Sequence, residues 1–137
     1  AGVALDLFPH LDGMLARRCA VAAVYDDFAH AVPGVIPQRV RTGDRHSRVH
    51  WVMRCQPPYA RDEIAGRMHR LGIETKPYYA PPLHRLLGKT TPATPLPVTE
   101  KLAREVLALP MSSEMSVGDA ERVVAALRGV LAELRGE

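Results

Sequence analysis

The sequence predicts an α/β fold of the α+β type, a small β-sheet covered by helices. Apolar residues recur at helical spacing near both ends of the chain, over residues 11–31 and 117–134. Shorter apolar or alternating stretches of strand character lie between them, separated by prolines and glycines. With 137 residues, 47% hydrophobic and 24% charged, the chain has the size and composition of one globular domain. Packing helices onto one small sheet is the economical way to bury the apolar faces of both the helices and the strands.

The first half of the chain predicts a long helix followed by a strand. Apolar side chains over residues 11–31 fall on one broad face, and Pro9 predicts either a kink or a separate short helix before them. Residues 32–37 contain two prolines and a glycine, which end the helix in a turn or a brief edge strand. Residues 47–55 alternate in polarity and predict a strand with Trp51 on one face.

The second half predicts three further helices separated by two strands. The first of these helices carries acidic residues in its first turn and ends at Gly72, a natural C′ residue. Residues 73–79 are expected to be extended. After a proline-rich stretch, a helix begins near Pro97 and leads into a short apolar strand over residues 107–111. Ser116 is expected to cap the last helix.

Several classes of site receive little support from the residues. The six histidines show no helical pairing, and His46 and His50 lie roughly 13 Å apart in an extended segment, so a metal site is not indicated. An arginine-rich segment over residues 39–54 could contact nucleic acid. It lacks interleaved aromatic residues, so a solvated rim or a subunit contact is the favoured interpretation. No glycine-rich phosphate loop and no nucleophile motif occurs.

The sequence also indicates the cellular compartment of the protein. The sequence has no run of about 18 apolar residues and no signal-peptide layout, so neither a membrane contact nor export is expected. Cys19 and Cys55 could form a disulfide, but buried free thiols of a reducing environment are the favoured interpretation. We therefore expect a cytoplasmic protein. The chain begins with Ala1 rather than Met, which suggests a processed or trimmed product or a piece of a longer polypeptide.

Residues 72–85 are the best candidate for the lining of a site. Their extended part carries Lys76 and the adjacent Tyr78 and Tyr79, and a proline-stiffened loop then presents His84. Aromatic hydroxyls, an ammonium group and an imidazole on a rigid turn can orient a polar ligand. A plain strand and surface loop would explain the same residue types, so a role in a site is a hypothesis.

Five short motifs follow one another along the chain. They are a helix with Leu11-Asp12, Arg17-Arg18 and Tyr25; the strand Trp51-Val52-Met53-Arg54; a helix running from Arg61-Asp62-Glu63 to Leu71-Gly72-Ile73; Thr75 with the loop Tyr78-Tyr79-Ala80-Pro81-Pro82-Leu83-His84; and the segments from Leu96 to Ala103 and from Val106 to Met111. In this order they resemble the C-terminal small domain of the DegT/StrS family. These enzymes use pyridoxal phosphate (PLP) to aminate keto-sugars and related cyclitols.

The resemblance implies one wall of a cleft rather than a complete active site. Such enzymes hold PLP in a large N-terminal domain, as a Schiff base with a lysine. We expect residues 1–137 to be a single small domain without that large PLP-binding domain. Lys76, Lys89 and Lys101 lie in none of the large domain's motifs. The isolated chain is therefore expected to bind no PLP and to be inactive, and no catalytic, cofactor-binding or metal-binding residue is assigned to it.

The resemblance also implies a substrate and partners. In the complete enzyme, glutamate or glutamine would donate the amino group, a keto-sugar nucleotide or cyclitol would accept it, and the protein would be a homodimer. The implied substrate contacts are Tyr78, Tyr79 and His84, with Lys76 and Arg54 facing anionic groups. An alternative is a stand-alone, non-catalytic binding or assembly module that docks on a full-length partner. An exposed apolar patch would be its sign.

Overall fold

The structure, a computed structural model, describes residues 2–86 and 95–136. Its sheet has three antiparallel strands in the order β1-β2-β3, namely β1 (Val35–Pro37), β2 (Trp51–Cys55) and β3 (Val106–Leu109). The register pairs Val35 with Cys55 and Trp51 with Leu109. β2 is therefore the central strand, and β3 is an edge strand.

Six α-helices and one short 3-10 helix surround this sheet in the described part of the chain. They are α1 (Gly2–Leu7), the 3-10 helix Phe8–His10, α2 (Leu11–Ala31), α3 (Arg61–Arg70), α4 (Leu83–Leu86), α5 (Pro97–Glu105) and α6 (Val117–Arg135). The predicted class, a small sheet covered by helices, is confirmed. Pro9 lies in the 3-10 helix, so the second of the two arrangements predicted for this region, a separate short helix, is the one that forms.

The core lies where α2 and α6 pack on each other and on the sheet. Its largest fully buried side chains include Tyr25 from α2, Trp51 and Met53 from β2, and Leu127 from α6. The rings of Tyr25 and Trp51 are 5.2 Å apart, and Trp51 Nε1 donates to Asp26 Oδ1 at 2.7 Å. This polar contact satisfies the buried indole and fixes α2 against the central strand.

The predicted strand over residues 73–79 is wrong. Only Lys76 pairs with the sheet, in an isolated bridge to Ala108, and the backbone turns at Tyr78 and Tyr79. Pro77 has no N–H to donate, and the turn after it carries the chain away from β3, so pairing stops after one residue. The segment is extended over residues 73–77, but it forms no ladder with the sheet.

The cysteine prediction is half wrong. Both Cys19 and Cys55 are free, but only Cys55 is buried, whereas Cys19 lies exposed on α2. Burial raises the pKa of the Cys55 thiol to about 12. No helix in residues 2–86 and 95–136 is long and apolar enough to cross a membrane.

Candidate functional site

The end of α3 sets the direction of residues 72–85, the candidate site lining. Gly72 follows α3 with a φ of 75°, a conformation that glycine adopts without steric cost. Its amide donates to the His69 carbonyl at 2.9 Å, and the amide of Ile73 donates to the Met68 carbonyl at 3.0 Å. These two bonds form a Schellman motif, which satisfies carbonyls at the end of α3 and sends the chain towards the sheet edge.

Lys76 fixes this segment to β3. Its amide donates to the Ala108 carbonyl at 3.1 Å, and the amide of Ala108 donates back to the Lys76 carbonyl at 2.7 Å. The Lys76 ammonium lies 2.5 Å from Glu74 Oε1, and this hydrogen bond raises the pKa of Lys76 and lowers that of Glu74. Both side chains are more than half exposed, so the pair adds little stability but keeps Lys76 positively charged.

A groove of about 710 Å³, here called the polar groove, runs between this segment, the end of β3 and the start of α6. Its volume lies within the range of roughly 300–1,000 Å³ that is common for small-molecule sites. Charged, aromatic and methionine side chains line it together: the residues include His50, Glu74, Lys76, Tyr78, Pro110, Met111, Met115, Asp119 and Arg122. Groups of both charges therefore face one cavity.

Three rings form a row that begins in this groove and leads out of it, since His50 and Tyr78 line the groove and Tyr79 does not. The His50 and Tyr78 ring centroids are 4.6 Å apart, and those of Tyr78 and Tyr79 are 5.2 Å apart. His50 directly precedes the buried Trp51, and neighbouring strand side chains face opposite sides, so burial of Trp51 directs His50 outwards. Sequence reasoning considered His50 only as a metal ligand and missed this contact. The alternation of side chains along the strand of Trp51 was the available signal that His50 faces outwards.

Tyr78 also lines a second groove, of about 490 Å³, here called the apolar groove. The other residues along it are Tyr79, Pro81, Pro82, Leu83, Leu86, Thr99, Leu102, Ala103 and Val106. Tyr79 is 74% exposed and contributes to this groove but not to the polar one. The two adjacent tyrosines thus have different surroundings, with Tyr78 at the boundary between the grooves.

The other two predicted contacts are bonded to carboxylates. His84 Nε2 lies 3.1 Å from Glu100 Oε1, and the bonds that Glu100 receives from Arg85 and His84 lower its pKa. Arg54 donates from Nε and Nη2 to Glu105 Oε2, at 3.0 and 2.7 Å. Neither His84 nor Arg54 lines the polar or the apolar groove. Of the five predicted residues, the structure brings Lys76 and Tyr78 together in the polar groove, and Tyr78 and Tyr79 together in the apolar groove.

A family model described as the DegT/DnrJ/EryC1/StrS aminotransferase family matches residues 1–128. The chain belongs to this family. A curated member, the dTDP-3-amino-3,4,6-trideoxy-alpha-D-glucose transaminase of Streptomyces venezuelae, is 32% identical over 123 residues, which cover 87% of this chain and 31% of that protein. The erythromycin biosynthesis sensory transduction protein EryC1 of Saccharopolyspora erythraea is also 32% identical, over 87% of this chain and 32% of its own length.

Solved structures of the family have the same fold. The aminotransferase TlmJ from Streptoalloteichus hindustanus superimposes with a TM-score of 0.81 at 30% identity, covering 97% of this chain and 35% of that one. DesV of S. venezuelae, solved with a ketimine intermediate, gives a TM-score of 0.77 at 30% identity, covering 88% of this chain and 33% of that one. The chain thus resembles sugar aminotransferases and spans about a third of the length of the relatives it matches.

The lysines that the structure describes do not suit the Schiff base of this PLP-dependent family. Lys76 is 53% exposed and paired with Glu74, and Lys101 is 59% exposed with its ammonium 3.9 Å from Glu105. A lysine that reacts with PLP needs a lowered pKa, which burial or a neighbouring cation provides, whereas a carboxylate acts the other way. Lys89 lies outside the described residues. Residues 2–86 and 95–136 also contain no group of three or more His, Cys, Asp or Glu side chains able to hold a metal ion.

Proposed function

We propose that residues 1–137 form the small domain of a PLP-dependent sugar aminotransferase and that the polar groove faces its substrate. One observation carries this proposal: within a chain matched by the family model over residues 1–128, Lys76, Tyr78 and His50 line one cavity. The name of the S. venezuelae relative supports a nucleotide-linked keto-sugar as the substrate class. A cyclitol is the second substrate class. PLP and its lysine would then come from polypeptide outside these residues.

In this proposal the residues of the polar groove bind and orient the substrate. Lys76 complements an anionic group, and its exposed ammonium has donors left after pairing with Glu74. Tyr78 offers a ring face to an apolar surface of the ligand and a hydroxyl to its polar edge. His50 packs against Tyr78 with the two rings tilted by 50° and thereby limits the rotation of the Tyr78 ring. The chemistry of amino transfer belongs to the cofactor, so these side chains act by positioning.

The remaining predicted contacts keep narrower roles. Tyr79 extends the surface into the apolar groove. His84 and Arg54 remain predictions, because a direct contact with substrate requires them to leave Glu100 and Glu105. A cytoplasmic location and a homodimer also remain predictions.

The first test concerns the cofactor. When the 137-residue chain is mixed with PLP and glutamate, reduced with borohydride and examined by intact mass spectrometry, we expect no stoichiometric adduct on one lysine and no turnover of glutamate. Glu74 raises the pKa of Lys76 and so favours its unreactive ammonium form, and Lys101 is 59% exposed rather than buried. A stoichiometric adduct on one lysine, with turnover of glutamate, would show that the chain is an enzyme by itself.

The second test concerns the groove, and the chain provides a matched pair of lysines for it. Lys76 and Lys101 are both about half exposed and both lie beside a glutamate, but only Lys76 lines the polar groove. In NMR titrations with a nucleotide sugar, we expect shifts at His50, Lys76 and Tyr78. Lys76→Gln should weaken binding several-fold, and Lys101→Gln should not. Equal effects of the two substitutions, or shifts confined to other surfaces, would contradict the assignment.

The alternative, a stand-alone module that docks on a full-length partner, has one supporting observation. Val3, Leu5, Leu7 and Phe8 at the N-terminal end are between 50% and 75% exposed, although all four are apolar. Such a surface is suited to contact with another protein body. The reading frame upstream of Ala1 separates the two proposals. A PLP-lysine domain in the same frame supports the aminotransferase, and a start codon at this point supports the module.

A further inference from the structure

A third groove, here called the basic groove, lies between the Pro81-Pro82 turn and α5 and has a volume of about 460 Å³. Its charged residues come from three separate parts of the chain: Arg61 begins α3, Arg85 lies in α4, and Glu100 and Arg104 lie in α5. Three guanidinium groups and one carboxylate leave the lining with a net charge of +2. A concave surface with that excess attracts small anions.

Arg61 is the unusual member of this set because its side chain is only 6% exposed. Its Nη1 makes one long hydrogen bond, 3.4 Å, to the Val106 carbonyl. Its Nε lies 2.6 Å from Asp62 Oδ1 but makes no hydrogen bond within the described residues, and Asp62 itself is 87% exposed. A guanidinium has five N–H donors, and a buried one is stable only when those donors and its charge are compensated. Asp62 offsets the charge of Arg61, so what is lacking is acceptors for its N–H donors, and an anion in the basic groove would supply them.

The other two arginines have donors available on the same lining. Arg85 uses Nε and Nη2 to hold Glu100, at 3.1 and 2.5 Å, which leaves its Nη1 group for another acceptor. Arg104 approaches Glu100 only to 4.0 Å and is 71% exposed. Glu100 therefore orders Arg85 without neutralising the groove. Guanidinium forks of this kind match the paired oxygens of a phosphate group.

The basic groove adjoins the apolar groove, because both are lined by Pro81, Pro82 and Ala103. A ligand that spans this boundary would meet guanidinium groups at one end and proline, leucine and tyrosine side chains at the other. The matching chemistry is an organic phosphate monoester, which carries a charge near −2 at pH 7.5 beside an apolar body.

We propose that the Arg61, Arg85 and Arg104 cluster binds the phosphate group of an organic phosphate monoester whose apolar part lies in the apolar groove. This proposal does not depend on the aminotransferase function. It concerns a surface distinct from the polar groove, since none of these arginines lines the latter.

The experiment is a calorimetric titration of the 137-residue chain with phenyl phosphate and, separately, with inorganic phosphate at the same pH and ionic strength. Phenyl phosphate should bind at least about fivefold more tightly, because its ring adds apolar burial. Arg85→Gln and Arg104→Gln should each weaken phenyl phosphate binding by about fivefold or more, the loss expected for one charged hydrogen-bond donor. Arg61→Lys should weaken it as well, since lysine keeps the charge but lacks the fork.

Arg70→Gln is the matched control, since it removes one positive charge from the exposed far end of α3, outside the basic groove. Circular dichroism establishes that each variant is folded. Arg85 and Arg104 are exposed side chains, so their substitution leaves the test valid even if Arg61→Lys does not fold. The proposal is overturned if neither phosphate compound binds, or if Arg70→Gln weakens binding as much as Arg104→Gln. Equal affinity for both compounds would overturn the proposal that the ligand is an organic ester. It would support a site for free phosphate instead.

Discussion

Substitution of Tyr25 by Phe should destabilise the domain by about 1–2 kcal/mol without changing its fold. The Tyr25 side chain is 0% exposed, and its hydroxyl donates to the Pro110 carbonyl at 2.9 Å, with Met115 Sδ at 3.9 Å. Phenylalanine fills the same space but leaves that carbonyl without its donor. Pro110 is half-buried, so water can replace part of the lost bond, which places the cost below the maximum of about 3 kcal/mol.

Urea unfolding followed by fluorescence measures this cost, because Trp51 is the single tryptophan and is 1% exposed. With a slope of about 2 kcal/mol per molar urea, the midpoint of Tyr25→Phe should fall by about 0.5–1 M at an unchanged slope. Tyr79→Phe is the control. Tyr79 is 74% exposed and its hydroxyl has no hydrogen bond in the described structure, so its midpoint should not move.

An unchanged midpoint for Tyr25→Phe would refute the reasoning, and so would an equal loss in the two variants. In the first case the hydroxyl would contribute nothing to folding. In the second the loss would not depend on burial. Because Pro110 lines the polar groove, Tyr25→Phe should also alter nucleotide-sugar shifts there, whereas a change confined to the core would not.

Three further outcomes are expected. The folded domain keeps Cys55 protonated up to about pH 12, whereas an unfolded thiol ionises near pH 9, so stability should fall between these values by up to about 1.4 kcal/mol per pH unit. Tyr25, whose pKa burial also raises, adds to this loss above about pH 10. Urea midpoints at pH 8–11 should show a shallower decline for Cys55→Ala, and an identical decline would contradict the assignment. Ser116→Ala should cost about 1 kcal/mol in thermal melting, since it removes the cap that accepts from the Asp119 amide at 3.1 Å; an unchanged melting temperature would mean that the cap is dispensable. Leu127→Ala should cost about 2–5 kcal/mol because the side chain is fully buried, whereas Leu5→Ala, at a 72% exposed position, should have little effect on the same melting curve.

The helices were the predictable part of this fold because their signals are local. The bounds of α2 agree with the predicted range of residues 11–31, since Pro9 lies before it and Pro33-Gly34 follows it. Ser116 caps α6 as expected, with its amide bonded to the Asp119 carboxylate and its hydroxyl to the Asp119 amide. In each case the residues that decide where the helix begins or ends lie within one turn of that end.

The surfaces were less predictable because they depend on contacts between distant segments. Sequence alone placed Lys76 and Tyr78 in a candidate wall, but it could not show that His50, from another strand, packs on Tyr78. It also predicted a contact between Arg54 and an anionic substrate group, but it could not show that Glu105 lies within 2.7 Å of that guanidinium. Such pairings are set by how the helices pack on the sheet, and local propensity carries no information about them.

The single bridge between Lys76 and Ala108 has a consequence for how copies of this domain behave in solution. β3 is an edge strand, and an open edge can pair with a strand of another chain. The Lys76 backbone occupies both the N–H and the carbonyl of Ala108 and places a charged pair, Lys76 and Glu74, beside that edge. Changes that loosen residues 73–79 should therefore appear first as self-association of a still folded protein. The segment that lines the polar groove thus also covers the part of β3 that could otherwise pair with another chain.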